Sequence, residues 1–98
     1  MKKVSFKELL KEYKKKLSST VFSDEYDVNM LMMFRSALID ILDGVSSNEL
    51  DKFLNVDSIF ISEAREEILE ANPDFKDFID SKSLILFYKM MQIRSQVA

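Results

Sequence analysis

The 98-residue chain contains no cysteine, no histidine and no tryptophan, and only one glycine and one proline. Without cysteine or histidine it has no thiolate nucleophile, no imidazole base, no disulfide, and none of the usual ligands of zinc, haem or iron–sulfur clusters. A single glycine excludes the glycine-rich loops that cradle phosphate groups. We therefore expect a non-enzymatic protein with no cofactor and no bound metal.

The rest of the composition is that of a globular protein, 47% apolar and 32% charged. A chain of this length forms one small domain, so residues 1–98 are expected to share a single core. The longest uncharged apolar runs, Val28 to Phe34 and Ser83 to Tyr88, are far shorter than the ~20 residues needed to cross a bilayer. No apolar leader follows Met1, so we expect a cytoplasmic protein that does not enter membranes.

Capping signals predict the starts of two helices, because in each case a serine is followed three residues later by a glutamate. The pairs are Ser5 with Glu8 and Ser46 with Glu49. A further helix is expected to run from Ser23 or Asp24 to Asp43. Gly44 would then supply the left-handed residue that often closes a helix.

The middle of the chain is expected to hold two helices separated by a turn. The first covers about 47–54 and is closed by Asn55. The next is capped by Asp57 or Ser58 and stops near Ala71, because the residue before Pro73 is forced out of helical geometry.

Two readings of the C-terminal third remain open. The polar residues 81–83 interrupt the apolar pattern, which predicts separate helices over 73–80 and 84–96. A strand over Leu84 to Tyr88 is the alternative. The sequence thus predicts an all-α fold, a compact bundle of five or six helices with the second and the last at its centre.

One segment carries a spacing known from DNA-binding proteins. A capped first helix, a tight turn and a second helix with an inward aliphatic residue follow one another over residues 38–67. The residues are Gly44-Val45-Ser46-Ser47-Asn48-Glu49-Leu50, then Phe53-Leu54-Asn55-Val56, and Ile61. This segment resembles the helix-turn-helix unit of phage-repressor-type proteins. The resemblance implies that Leu50, Leu54, Val56 and Ile61 are buried.

The segment departs from that family in its turn and in its second helix. Asp51 stands where the family usually has a small residue, and Asn55 stands in place of the turn glycine. The face that would enter the DNA groove presents Asp57, Glu63 and Glu66, without Arg, Lys or Gln to read bases. We therefore expect no nucleic-acid contact through residues 57–67.

Charge is distributed unevenly along the chain. Residues 1–17 hold seven lysines and two glutamates, whereas the whole chain has a net charge of −3. Four of these lysines form one helical stripe: Lys7, Lys11, Lys14 and Lys15. The stripe is either a solvated face or a contact for nucleic acid or an acidic partner.

A complementary acidic stripe follows later in the chain. It consists of Glu63, Glu66, Glu67 and Glu70. Like charges at this spacing repel one another by a few tenths of a kcal/mol, roughly. The stripe is either a solvated face or a surface that docks and steers a basic partner.

The second helix has more apolar residues than one core face needs. Its core face is expected to contain Tyr26, Met30, Phe34, Ala37, Leu38 and Ile41. A second apolar sector contains Val28, Met32 and Ile39, with Arg35 among them.

The last helix has the same surplus. Its core stripe is Leu86, Met90, Ile93 and Val97, and its second stripe is Leu84, Phe87 and Met91 beside Arg94. Either both helices are surrounded by others, or one second stripe is a protein-binding or homodimer surface. The candidate contact residues are Met32, Arg35, Ile39, Phe87, Met91 and Arg94.

The sequence favours a small cytosolic interaction protein, such as an adaptor, inhibitor or regulator. In size and composition it is similar to phage or mobile-element inhibitors and to immunity proteins. Two other functions stay open. One is a nucleic-acid-associated regulator that uses the lysine-rich first helix, and the other is a structural subunit of a homo-oligomer.

Overall fold

The computed structural model describes residues 5–96, which fold into helices joined by short turns. The α-helices are α1 (Phe6–Ser19), α2 (Glu25–Asp40), α3 (Ser47–Ile59), α4 (Arg65–Ala71) and α5 (Lys76–Ser95). A π-helical turn over Phe60–Ala64 joins α3 to α4 without a break. The all-α class is confirmed. Because α3, the π-helical turn and α4 form one continuous rod, the described residues contain four helical rods (α1, α2, the α3–α4 rod and α5) rather than the five or six predicted.

Three of the predicted helix starts agree with the structure, those of α1, α2 and α3. The Ser5 hydroxyl accepts a hydrogen bond from the Glu8 N–H at 3.1 Å and caps α1. Ser46 and Glu49 form a complete capping box at the start of α3. Asp24, one of two alternatives, caps α2.

The end of α2 differs from the prediction. The helix stops at Asp40, and a 3-10 turn over Leu42–Gly44 follows it. The Ile41 N–H still bonds to the Ala37 carbonyl oxygen at 3.2 Å, so the helix closes before the glycine is reached. Gly44 has no positive φ angle, and the prediction that it is left-handed is wrong.

The predicted turn at Asn55 is absent. α3 continues through this exposed residue because Phe53, Val56 and Phe60 recur on the core side and are buried. Burial of such a face contributes more than the poor helix propensity of one asparagine removes. The residues that resemble a helix-turn-helix therefore form no turn at Asn55, and Ile61, implied to be buried, is 44% exposed.

The predicted break over residues 81–83 is also absent, and so is the alternative strand. α5 is continuous here because two of the three polar residues have partners on α2. The Ser83 hydroxyl accepts a hydrogen bond from Arg35 at 2.9 Å, and the Lys82 ammonium lies 3.6 Å from the Asp40 carboxylate. Contacts with α2 thus provide partners for the polar side chains that, in the sequence, interrupt the apolar pattern of α5.

α2 lies at the centre of the bundle, as predicted, but the predicted second apolar sector is the more deeply buried one, and of the predicted core face only Leu38 is fully buried. Its buried residues are Val28, Leu31, Met32, Arg35, Leu38 and Ile39. Tyr26 and Ile41, expected in the core, are 72% and 39% exposed. The last helix is peripheral, because α5 turns only a narrow stripe inward, with Ile79, Leu86 and Ile93 buried. Val97 lies outside the described residues.

Candidate protein-interaction surfaces

The outward face of α5 consists of Leu84, Phe87, Tyr88 and Met91. These side chains are 55%, 50%, 60% and 53% exposed. They recur at positions i, i+3, i+4 and i+7, which places them together on one side of a helix. The rings of Phe87 and Tyr88 meet edge to face, with centroids 6.3 Å apart. Four large apolar groups thus form one surface in contact with solvent.

The sequence of α5 explains why this surface stays uncovered. Its two apolar stripes point in nearly opposite directions, and the rest of the bundle covers only the stripe with Ile79, Leu86 and Ile93. Arg94 lies at the end of the outward face, where its guanidinium is 3.7 Å from the Asp51 carboxylate and 55% exposed. The predicted residues Phe87, Met91 and Arg94 are therefore all accessible.

Tyr88 was not among the predicted contact residues. It occupies the i+4 position from Leu84, so the helical spacing alone would have found it. The predicted helix over 84–96 contains both residues, so the assumed break over 81–83 does not account for the omission. In the structure Tyr88 is the most exposed member of the outward face.

The other half of the predicted apolar contact is wrong. Met32, Arg35 and Ile39 are only 4%, 2% and 0% exposed. They face the interior because α2 is packed between α1 and α5. A partner cannot reach these three residues while the bundle remains folded.

Arg35 instead forms a buried polar cluster with Asp57 and Tyr13. Its Nε and Nη2 atoms donate to the two Asp57 carboxylate oxygens at 2.8 and 3.1 Å, which forms a bidentate ion pair. The Tyr13 hydroxyl donates to the same carboxylate at 2.7 Å. The cluster thus ties α1, α2 and α3 together at the centre of the fold.

Further contacts complete the surroundings of Arg35. Its guanidinium donates to the Ser83 hydroxyl on α5 and lies 4.7 Å from the centre of the Phe60 ring. Within residues 5–96 every buried side-chain nitrogen or oxygen has a hydrogen-bond partner. Burial, and next the neighbouring Asp57 carboxylate, raise the pKa of the Tyr13 phenol above its ordinary range. The cluster is closed and fully paired, so its role is to hold the helices together.

Comparison with known proteins found nothing similar. No protein-family model, curated protein or solved structure matches this chain. None of the helices in residues 5–96 has the length and apolarity needed to cross a bilayer.

The acidic stripe lies on the π-helical turn and α4. Glu63, Glu66, Glu67 and Glu70 are all exposed. None of them forms an ion pair with another of the described residues. They therefore leave one end of this rod negatively charged and open to a basic partner.

The structure separates the four predicted lysines of α1 into two groups. All four are exposed. Lys7, Lys11 and Lys14 line one groove together with Lys52 of α3, whereas Lys15 lies outside that groove. Lys52 was not among the predicted residues, because it lies in another helix and no pattern within α1 points to it.

Proposed function

We propose that this chain is a protein-interaction module that acts by occupying a partner's surface through the outward face of α5. The observation that carries the proposal is the row of four half-exposed apolar side chains, Leu84, Phe87, Tyr88 and Met91. Isolated exposed apolar residues are ordinary, but contiguous ones mark contact sites. Phenylalanine, tyrosine and methionine are enriched at interface cores, and the adjoining Arg94 supplies a charged rim. A cytoplasmic location stays a prediction.

The outward face of α5 has a shape that fits against a helix or a shallow groove of a partner. The face is a straight row along one helix, and such rows bind by laying apolar side chains at i, i+3, i+4 and i+7 into a complementary surface. Nothing in the row is charged, so contact removes apolar area from water without burying an unpaired ion. The acidic stripe lies on a different rod and would add steering toward a basic partner.

The test places a photo-crosslinking amino acid at Tyr88 or at Tyr26 in the host cell. Both tyrosines are exposed, at 60% and 72%, so Tyr26 is a matched control on another helix. We expect crosslinked products from position 88 and none from position 26. Leu84→Glu, introduced into the chain that carries the crosslinking amino acid at position 88, should reduce the amount of crosslinked product at least about tenfold, because it puts a charge into the contact.

A second control uses a residue of equal exposure elsewhere. Val21 is 55% exposed, the same fraction as Leu84, and lies in the turn after α1. Val21→Glu should leave the crosslinked product unchanged. Equal crosslinking from positions 88 and 26, or a product that survives Leu84→Glu, would contradict the proposed surface.

A specific feature of the same face favours self-association as a second candidate function. In an antiparallel pair of α5 helices centred between Phe87 and Tyr88, Leu84 of one copy lies level with Met91 of the other. The same register places Arg94 level with Ser81, next to Asp80. The face is thus apolar at its centre and polar at both ends, and this pattern is the same for both copies, as a two-fold interface requires.

Disulfide trapping tests the antiparallel pairing of α5. The chain has no cysteine of its own, so any disulfide must form at the introduced positions. Tyr88→Cys should crosslink to its own copy under mild oxidation, since the two positions are offset by only about 1.5 Å along the axis. Ser81→Cys should not, because its copies are about 20 Å apart, beyond the ~7 Å that a disulfide spans. Mixing Ser81→Cys with Arg94→Cys should restore crosslinking. Efficient Ser81→Cys homodimers would exclude the antiparallel register.

A further inference from the structure

The groove between α1 and α3 is lined by four lysines from two helices. Lys7, Lys11 and Lys14 come from α1 and Lys52 comes from α3. The groove has a volume of about 440 Å³, and Leu10, Asn55 and Val56 complete its lining. It therefore combines a rim of positive charges with an apolar floor and one amide.

The lysines of this groove differ from the other basic residues in how they are paired. Seven basic side chains within residues 5–96 lie 2.7–3.7 Å from a carboxylate oxygen: Lys16, Arg35, Arg65, Lys76, Lys82, Lys89 and Arg94. Among the same described residues, none of the four groove lysines has such a partner. Within residues 5–96, four of the five basic side chains without an ion pair thus line this groove, and the fifth is Lys15.

Stability does not explain this concentration of charge. Lys7 and Lys11 are four residues apart on α1, and Lys11 and Lys14 are three apart, so their like charges repel on one face of the helix. Lys7 also lies in the first turn, where the helix dipole disfavours a positive charge. A negatively charged ligand would remove this repulsion.

We infer that this groove binds an acidic peptide segment of a partner protein, in which apolar side chains alternate with carboxylates. The carboxylates pair with the lysines of the rim. An aliphatic side chain between them rests on Leu10 and Val56. The Asn55 amide can hydrogen-bond to the peptide backbone.

The lining favours a peptide over a nucleic acid. Single-stranded nucleic acids stack their bases on aromatic side chains, and base readout relies heavily on arginine. The groove contains neither an aromatic residue nor an arginine. Its floor is aliphatic, which suits leucine, isoleucine or valine side chains rather than bases.

The groove is independent of the proposed contact on α5. It is built from α1 and α3, so the two surfaces share no residue. Loss of binding at one face therefore leaves the other intact, and each proposal can fail alone.

The binding test uses the full chain and a short synthetic peptide that alternates leucine with pairs of glutamates. Three other probes accompany it: the same peptide with glutamine for glutamate, the same peptide with serine for leucine, and a single-stranded oligonucleotide. Fluorescence anisotropy at low salt should show binding of the acidic leucine peptide only. Raising the ionic strength should weaken that binding, because screening acts on partly exposed charges.

Charge reversals locate the binding. Lys11→Glu and Lys52→Glu should each weaken peptide binding by about tenfold or more, because each turns an attraction into a repulsion. Lys15→Glu makes the same charge change on α1 but outside the groove, and should alter binding less than about twofold. Lys11→Gln and Lys52→Gln, which only remove a charge, should give intermediate losses.

Thermal unfolding of the same variants separates binding from folding. The groove substitutions should leave the unfolding midpoint unchanged or raise it, since they relieve repulsion. Equal losses from Lys15→Glu and Lys11→Glu, or equal binding of the serine peptide, would overturn the inference. Tighter binding of the oligonucleotide with the same dependence on lysine would assign the groove to nucleic acid instead.

Discussion

Replacing Asp57 by alanine is expected to lower the free energy of unfolding by about 3–5 kcal/mol, because Arg35 would stay buried without its counter-charge. The Asp57 carboxylate accepts hydrogen bonds from both Arg35 and Tyr13, and the Arg35 and Asp57 side chains are 3% and 4% exposed. For a domain of this size the unfolding midpoint should fall by more than about 12 °C. Urea unfolding followed by circular dichroism measures the change.

A surface ion pair provides the matched control. Asp51→Ala removes the partner of Arg94, but the two side chains are 60% and 55% exposed and 3.7 Å apart. Solvent screens such a pair, so the stability should change by less than about 0.5 kcal/mol. A loss below about 1 kcal/mol for Asp57→Ala would contradict the assignment of a buried, paired charge.

Replacing the whole cluster by apolar residues tests whether the loss in Asp57→Ala comes from the unpaired charge of Arg35. The triple variant Tyr13→Phe, Arg35→Met, Asp57→Leu removes the three buried members of the cluster together, and of the remaining side chains only the half-buried Ser83 hydroxyl loses a hydrogen-bond partner. Well-packed apolar residues often replace a buried ion pair without loss of stability. We therefore expect the triple variant to be more stable than Asp57→Ala alone, even though it carries more substitutions.

Raising the pH above about 10 is expected to destabilise the protein through Tyr13, by about 1.4 kcal/mol for each pH unit. Burial and the Asp57 carboxylate raise the pKa of this phenol in the folded state. In the unfolded chain the phenol ionises near pH ~10. Above that pH the unfolded state has released a proton that the folded state keeps, so unfolding becomes more favourable. Below it, the folding contribution of Tyr13 is fully present.

The lysines titrate in the same pH range, so the contribution of Tyr13 is measured by comparing the stability of the parent with that of tyrosine variants at each pH. Tyr13→Phe should be less stable than the parent at pH ~9, and the difference should narrow as the pH rises. Tyr26→Phe is the control, because Tyr26 is 72% exposed and should follow the parent curve. Parallel stability curves for the parent and Tyr13→Phe between pH ~9 and ~11 would contradict the role given to Tyr13.

The outward face of α5 shows how much of the candidate surface was accessible to prediction. Helical spacing identified Leu84, Phe87 and Met91 as a second apolar stripe, and the structure leaves all three exposed. The same reasoning failed for Met32 and Ile39, which are buried. Periodicity shows that a helix has two apolar sectors but does not show which sector the other helices cover.

The sequence by itself determined the all-α class and the starts of α1, α2 and α3, because capping involves residues within one turn of each other. Ser46 and Glu49 need only their own segment to form a capping box. The conformational limit before Pro73 is equally local, and it ends α4 at Ala71 as predicted. The sequence also contains no cysteine and no histidine, so this chain has no thiol and no imidazole side chain in any fold.

The tertiary structure alone decided where a helix runs on through a predicted break and which charged side chains form ion pairs. α3 passes through Asn55, and α5 passes through residues 81–83, because packing and contacts with α2 outweigh local propensity. The Arg35–Asp57 pair joins residues 22 positions apart, and the Tyr13–Asp57 bond joins residues 44 apart. Lys52 joins the lysines of α1 in the same way. Such pairings depend on how the helices pack, and no local pattern in the sequence records them.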